Sequence, residues 1–211
     1  MLATIQRLLF LLLTGFSALG FAQSDQPSSP ILVLGDSLSA AYGIDRNNGW
    51  VALLQQRLRA QGYFHRVVNA SISGETTHGA LARIDRELAI HRPGIVLIAL
   101  GANDGLRGLP LNAMRDNLGT MIEKSQSQNV KVLLIGMQLP PNYGPMYTKA
   151  FHDSYFTVAQ RYRVTHIPFL LSGVGQHKAL FQSDGLHPTA QAQPVILDNV
   201  WPQLLQLLPP T

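Results

Sequence analysis

Five short aliphatic runs, separated by segments of helical periodicity, limit this chain to a small set of folds. The runs are Ile31 to Leu34, Arg66 to Asn69, Ile95 to Leu100, Val130 to Ile135 and Val164 to Ile167. They show no polar alternation, as expected of strands buried on both faces in a parallel sheet. Between them, Trp50 to Ala60, Gly79 to Ile90, Leu111 to Ser125 and Ser154 to Tyr162 carry apolar residues at helical spacing. Pro188 is placed to open a final helix in its first turn. Strand and helix in alternation predict a parallel sheet with helices on both faces. Ligands of such sheets sit beyond the carboxyl ends of the strands, where chain order reverses.

The first 22 residues stand apart from this pattern. Arg7 precedes the apolar run Leu8 to Leu13, and the small-residue stretch Ala18 to Ala22 follows. That order of charged, apolar and small regions is a secretory signal, with cleavage expected after Ala22. The rival reading is a membrane anchor, but the apolar stretch is short and interrupted against the roughly 20 residues a spanning helix needs. Residues 23–30 form a Ser/Pro-rich spacer, and 31–211 are long enough for a single domain with its own core. A periplasmic or secreted location is expected. With no cysteine, the chain has no disulfide, cysteine nucleophile or zinc-thiolate site. Loss of Arg7 with the leader leaves a formal charge of about +3, without any basic run, so nucleic-acid binding has no support.

The polar residues that carry chemistry cluster at the strand ends. Ile31 to Leu34 run into Gly35, Asp36, Ser37, a tight turn into a helix that exposes a hydroxyl and aims backbone N–H groups at whatever it attacks. Asp184 and His187 lie three positions apart in a loop closed by Pro188, so one carboxylate is able to fix the imidazole tautomer while the other ring nitrogen faces a serine. After the second run, Gly74 permits a close approach of its backbone N–H; after the third, Asn103 offers an amide donor. Each piece has a plainer reading. Ser after Asp also caps helices, Asp184, Gly185 and Pro188 also make a turn, and Asn before Asp-Gly does the same. Four such pieces at four strand ends reinforce one another. The histidines His65, His78, His91, His152, His166 and His177 have no such setting, and no spacing suggests a metal site.

GDSL around Ser37, SISGETT at Gly74, GAND around Asn103 and DGLHP around Asp184 and His187 match, in order, the four blocks of the SGNH (GDSL) hydrolase family. The resemblance spans Leu32 to Pro188. Within the family the chain is similar to the exported bacterial thioesterase I, lysophospholipase and arylesterase group, through GDSLSAAYG, NASISGETT, GALARI, GANDGLRG, LPPNYG and DGLHP. The resemblance implies a three-layer α/β/α sandwich with a mainly parallel, five-stranded, flavodoxin-like sheet. It also implies Ser37 as nucleophile, His187 as base, Asp184 as its orienter, and an oxyanion hole of Ser37 N–H, Gly74 N–H and Asn103. One departure is visible: Ala102 stands where the thioesterase relatives typically show glycine.

The implied activity is hydrolysis of small acyl esters or thioesters by a monomer, with no cofactor, no metal and no stable membrane insertion after leader removal. The acyl chain is expected along two apolar loops, Leu106, Leu109, Pro110 and Leu111 after Asn103, and Leu139, Pro140, Pro141, Tyr143, Pro145 and Met146 after the fourth strand. Two other functions compete. A carbohydrate O-deacetylase would use the same triad, and a binding module would keep the scaffold without catalysis.

Overall fold

The computed structural model describes residues 28–209, so the expected leader and most of the spacer lie outside the described residues. Five strands, β1 (Ile31–Gly35), β2 (Val67–Asn69), β3 (Ile95–Ala99), β4 (Lys131–Ile135) and β5 (Thr165–Ile167), pair in parallel in the order β2-β1-β3-β4-β5. In-register pairs such as Leu32↔Val96 and Leu97↔Leu133 stack aliphatic side chains across the central strands, and β1 and β3 are buried throughout. That explains their unbroken aliphatic composition, because neither face meets water.

Among the described residues, six α-helices cover the sheet: α1 (Trp50–Ala60), α2 (Thr77–His91), α3 (Ala102–Leu106), α4 (Leu111–Gln126), α5 (Pro145–Tyr162) and α6 (Gln193–Leu205). α1 packs with α6, whereas α2, α4 and α5 pack as a second group, giving the three layers. Trp50, Tyr155 and Phe151 are the largest fully buried side chains. The chain leaves β1 for β2 on one side and returns past β1 to β3 on the other. Chain order therefore reverses between β1 and β3, and the ligand crevice of a doubly wound sheet lies at that reversal. Ser37 follows β1 and Asn103 follows β3.

Three local expectations fail for identifiable reasons. Pro188 opens no helix. It lies in an antiparallel bridge with Phe181, and Thr189 N–H donates to the Leu180 carbonyl, so the backbone there is extended. The last helix starts at Gln193 instead, with Pro194 in its first turn. Ser37 leads into a series of turns and a short 3-10 helix, Arg46–Asn48, and among the described residues the first α-helix begins only at Trp50. The fifth helix starts at Pro145, nine residues before the periodicity becomes amphipathic, because its first turns are solvated and give no apolar stripe. The plainer reading of Asn103-Asp104-Gly105 as a turn does not hold either, since all three residues are helical in α3. Among the described residues, no helix is long and apolar enough to cross a membrane.

Candidate active site

The serine is displayed by a turn that its own neighbours build. Asp36, 2 % exposed, accepts the Leu38 N–H on Oδ1 at 3.0 Å, and its carbonyl accepts from Ser39 and Ala40, folding the chain back over Ser37. Gly35 is required there, since a Cβ would stand 2.7 Å from the Ser39 Cβ and 2.9 Å from the Ser71 hydroxyl. Burial pushes the Asp36 carboxyl up from the ordinary 3.8 to about 6, against the Leu38 N–H and the charge of His187, which favour its ionised form.

Ser37, His187 and Asp184 form a continuous hydrogen-bonded chain. Ser37 Oγ lies 2.9 Å from His187 Nε2, across 150 positions of sequence, and His187 Nδ1 lies 2.7 Å from Asp184 Oδ2. The second carboxylate oxygen accepts the backbone N–H groups of Leu186 at 2.9 Å and His187 at 3.0 Å. Those two N–H groups, then the His187 side chain, hold the Asp184 carboxyl down at about 2. The carboxylate thus stays charged and fixed, leaving Nδ1 to donate and Nε2 to accept from Ser37. Tyr42 lays its ring on the imidazole, centroids 4.5 Å apart and tilted by 40°.

Asn103 and Gly74 are joined by α3. Asn103 Nδ2 donates to the Glu75 carbonyl at 3.0 Å and lies 3.5 Å from Asp36 Oδ2. Its neighbour Asp104 is buried and accepts both the N–H of Thr77 at 2.9 Å and its hydroxyl at 2.5 Å, capping α2. One turn on, Arg107 donates to the Gly74 carbonyl at 2.9 Å. Three side chains in and just after α3 therefore fasten Gly74, Glu75 and Thr77. Gly74 takes φ +79°. Its N–H and that of Ser37 have no acceptor among the described residues. The start of α3 depends on Gly101, at φ +110°, where a Cβ would collide with the Tyr155 hydroxyl that donates to the Leu100 carbonyl.

A cleft of about 920 Å³ opens over this constellation. Ser37, Ala102, Asn103 and His187 border it, with apolar walls from Leu106, Met137, Leu139, Pro140, Pro141, Phe169, Leu171 and Phe181. Of the residues expected to contact an acyl chain, Leu106, Leu139, Pro140 and Pro141 border the cleft. Leu109, Pro110, Leu111, Tyr143, Pro145 and Met146 do not border the cleft, nor does Gly74. Leu111 and Pro145 open helices, and Met146 is almost wholly exposed. Tyr143 acts from behind, donating from its hydroxyl to the Leu106 carbonyl at 3.0 Å. The wall supplied by residues 169–186 was missed in the sequence, as were Tyr42, Asp104, Arg107 and Gln182. An apolar stretch beyond β5, Phe169 to Leu171, was the available signal. Among the described residues, no group of three or more His, Asp or Glu side chains is placed to hold a metal.

A doubly wound α/β sandwich with a Ser-His-Asp chain at its topological switch point defines a class of protein, the serine ester hydrolases of flavodoxin-like fold. The chain belongs to the GDSL-like lipase/acylhydrolase family, which its residues 33–193 match. It is 50 % identical over 198 residues to the esterase TesA of Pseudomonas aeruginosa, covering 94 % of this chain and 98 % of that one. The arylesterase of Vibrio mimicus is 42 % identical, over 88 % of this chain and 92 % of the relative. The thioesterase 1/protease 1/lysophospholipase L1 of Escherichia coli K12 is 38 % identical, over 95 % and 91 %. Among solved structures, the crystal structure of TesA superposes with a TM-score of 0.84 at 52 % identity, covering 85 % of this chain and 99 % of that one. The protein is a serine ester hydrolase acting on small ester substrates.

Proposed function

We propose that the protein is an exported acyl esterase in which Ser37 is the nucleophile, His187 the base and Asp184 its orienter, with arylesterase, thioesterase and lysophospholipase-type activity. The observation that carries this reading is the chain of 2.9 and 2.7 Å hydrogen bonds at the base of an apolar cleft. His187 Nε2 removes the Ser37 proton as Oγ bonds to the acyl carbon. The tetrahedral oxyanion is held by the N–H groups of Ser37 and Gly74 and by Asn103. Collapse breaks the bond to the leaving alcohol or thiol, which departs with the proton from His187. Water, deprotonated by the same imidazole, then attacks the acyl-enzyme and restores the serine.

The wall of Leu106, Met137, Leu139, Phe169, Leu171 and Phe181 favours an acyl chain over an acetylated sugar, because burying apolar carbon stabilises binding by about 25 cal/mol per Å². Ala102 borders the cleft beside Asn103, so its methyl bears on the choice between ester and thioester. Export is part of the proposal: cleavage after Ala22 releases a chain starting at Gln23 into the periplasm or medium, and N-terminal sequencing of native protein reads this directly. The whole reading is tested with p-nitrophenyl esters of increasing acyl length beside an acyl-CoA and an acetylated sugar, on wild type and Ser37→Ala. Turnover rising with acyl length, and falling on the order of a millionfold in the variant, is expected. Preference for the acetylated sugar, or substantial turnover by Ser37→Ala, refutes it.

A further inference from the structure

The loops carrying Ser37 and His187 come from opposite ends of the chain, and little joins them. Among the described residues, segments 36–43 and 181–189 share two hydrogen bonds. One is the Ser37–His187 bond itself. The other runs from Gln182 Nε2 to the Tyr42 carbonyl at 2.8 Å. The same amide nitrogen donates to the Pro188 carbonyl at 3.1 Å, so one NH₂ group holds both loops. Gln182 is anchored in turn: its N–H donates to the His187 carbonyl at 2.8 Å, and its carbonyl accepts from Gly185 at 2.9 Å. Tyr42, the residue it grips, donates its N–H to the Ser37 carbonyl at 3.1 Å and lays its ring on His187. Gly43 keeps the approach open, since a Cβ there would run into Gln182 Oε1.

The two inter-loop bonds differ in one respect that matters to the reaction. Once Ser37 is acylated, its oxygen has no proton to donate to His187, and among the described residues the Gln182–Tyr42 bond is left as the hydrogen bond between the loops, beside the Tyr42–His187 ring contact. We propose that Gln182 is a positioning residue that keeps His187 in register with the Ser37 loop through the acyl-enzyme stage, so that the imidazole meets the incoming water rather than drifting from the ester. The inference rests on the assignment of Ser37 and His187 made above. Its effect falls on deacylation. Acylation starts from the state in which both bonds are present.

The test is Gln182→Met, which keeps volume and removes both donors, beside Gln182→Glu, which keeps shape and turns an oxygen toward the two carbonyls. Folded sites are counted by titration of the serine with a fluorophosphonate, and pre-steady-state release of p-nitrophenol is followed on an acyl ester. Expected is a burst stoichiometric with titrated serine, then a steady rate per site lower by roughly 10², with KM falling in parallel and kcat/KM little changed. A merely structural role shrinks the number of titratable sites and leaves kcat per site at the wild-type value, and that result overturns the proposal. An equal fall of kcat and kcat/KM with no burst also overturns it. Absence of fluorophosphonate labelling in wild type brings down the Ser37 assignment instead, so the two failures are separable.

Discussion

Replacing Asp36 by Asn tests how much stability the serine turn gives up. The carboxyl is buried and accepts a backbone hydrogen bond from Leu38 and a long contact from the Asn103 amide, but no cation pairs with it among the described residues. Its titration point rises from 3.8 to about 6, chiefly through loss of hydration. Between those values the folded protein binds a proton that the unfolded chain has released. Asp36 therefore favours folding most below pH 3.8, and that contribution drains away as pH rises through about 6. The shift corresponds to roughly 3 kcal/mol. Asn keeps an acceptor for the Leu38 N–H and carries no charge, so it loses nothing over the same range. Urea denaturation of both proteins from about pH 4 to about pH 8 isolates the effect in the difference between their curves. The relative stability of Asp36→Asn should climb by about 2–3 kcal/mol across that window, with unchanged m-values. Asp184 titrates in the opposite sense, stabilising above its ordinary value and losing that contribution as pH falls through about 2, and it cancels because both proteins have it. A flat or declining difference would show that the carboxyl is not penalised by burial, and the reasoning would fail.

Two further substitutions probe the α3 turn. Asn103→Ala should lower kcat by about 10²–10³ with KM little altered; loss of its bond to the Glu75 carbonyl should also cost about 1 kcal/mol, read as a Tm lower by about 2–4 °C. Near-normal kcat, or a Tm fall large enough to account for the lost activity, returns Asn103 to a structural part. Gly105→Ala sets two effects against each other: alanine favours a helix by about 1 kcal/mol, but its Cβ would stand 2.6 Å from the buried Phe151 ring and 2.9 Å from Leu139, an overpacking worth about 1–3 kcal/mol. Net destabilisation in thermal unfolding, with reduced kcat as Asn103 is displaced, is the expected result, and a gain in Tm contradicts it.

What could be read from the sequence follows from the range of the forces involved. β1 and β3 were plain because burial on both faces writes itself into consecutive residues, Ile31 to Leu34 and Ile95 to Ala99. Ser37, Asp184 and His187 were also readable, since the turn chemistry around each is local. α3 was not, because Gly101, Asp104 and Gly105 disfavour helix on their own. The turn forms because Gly105 leaves room for Phe151, Tyr155 occupies the space a Gly101 Cβ would need, and Asp104 has Thr77 to cap. Pro188 misled for the same reason: a proline before small and polar residues suits a helix start, and only its pairing with Phe181 shows otherwise. Gln182 carried no local signal at all, its partner Tyr42 being 140 positions away.

These long-range ties divide the site into two halves of unequal stiffness. On the Asn103 side, three side chains in and just after α3, Asn103, Asp104 and Arg107, hold Gly74, Glu75 and Thr77. On the His187 side, one glutamine amide bridges two loops, and the same segment continues into Phe181 and Leu186, which border the cleft. A donor set for an oxyanion gains from being fixed before charge develops, since no reorganisation is then needed at the moment of reaction. A wall that receives acyl chains of different lengths gains from yielding. Under the proposed mechanism, the denser set of hydrogen bonds lies around the oxyanion donors and the sparser set on the segment carrying His187, and the variants of Gln182 test whether its bond to the Tyr42 carbonyl keeps the two loops aligned.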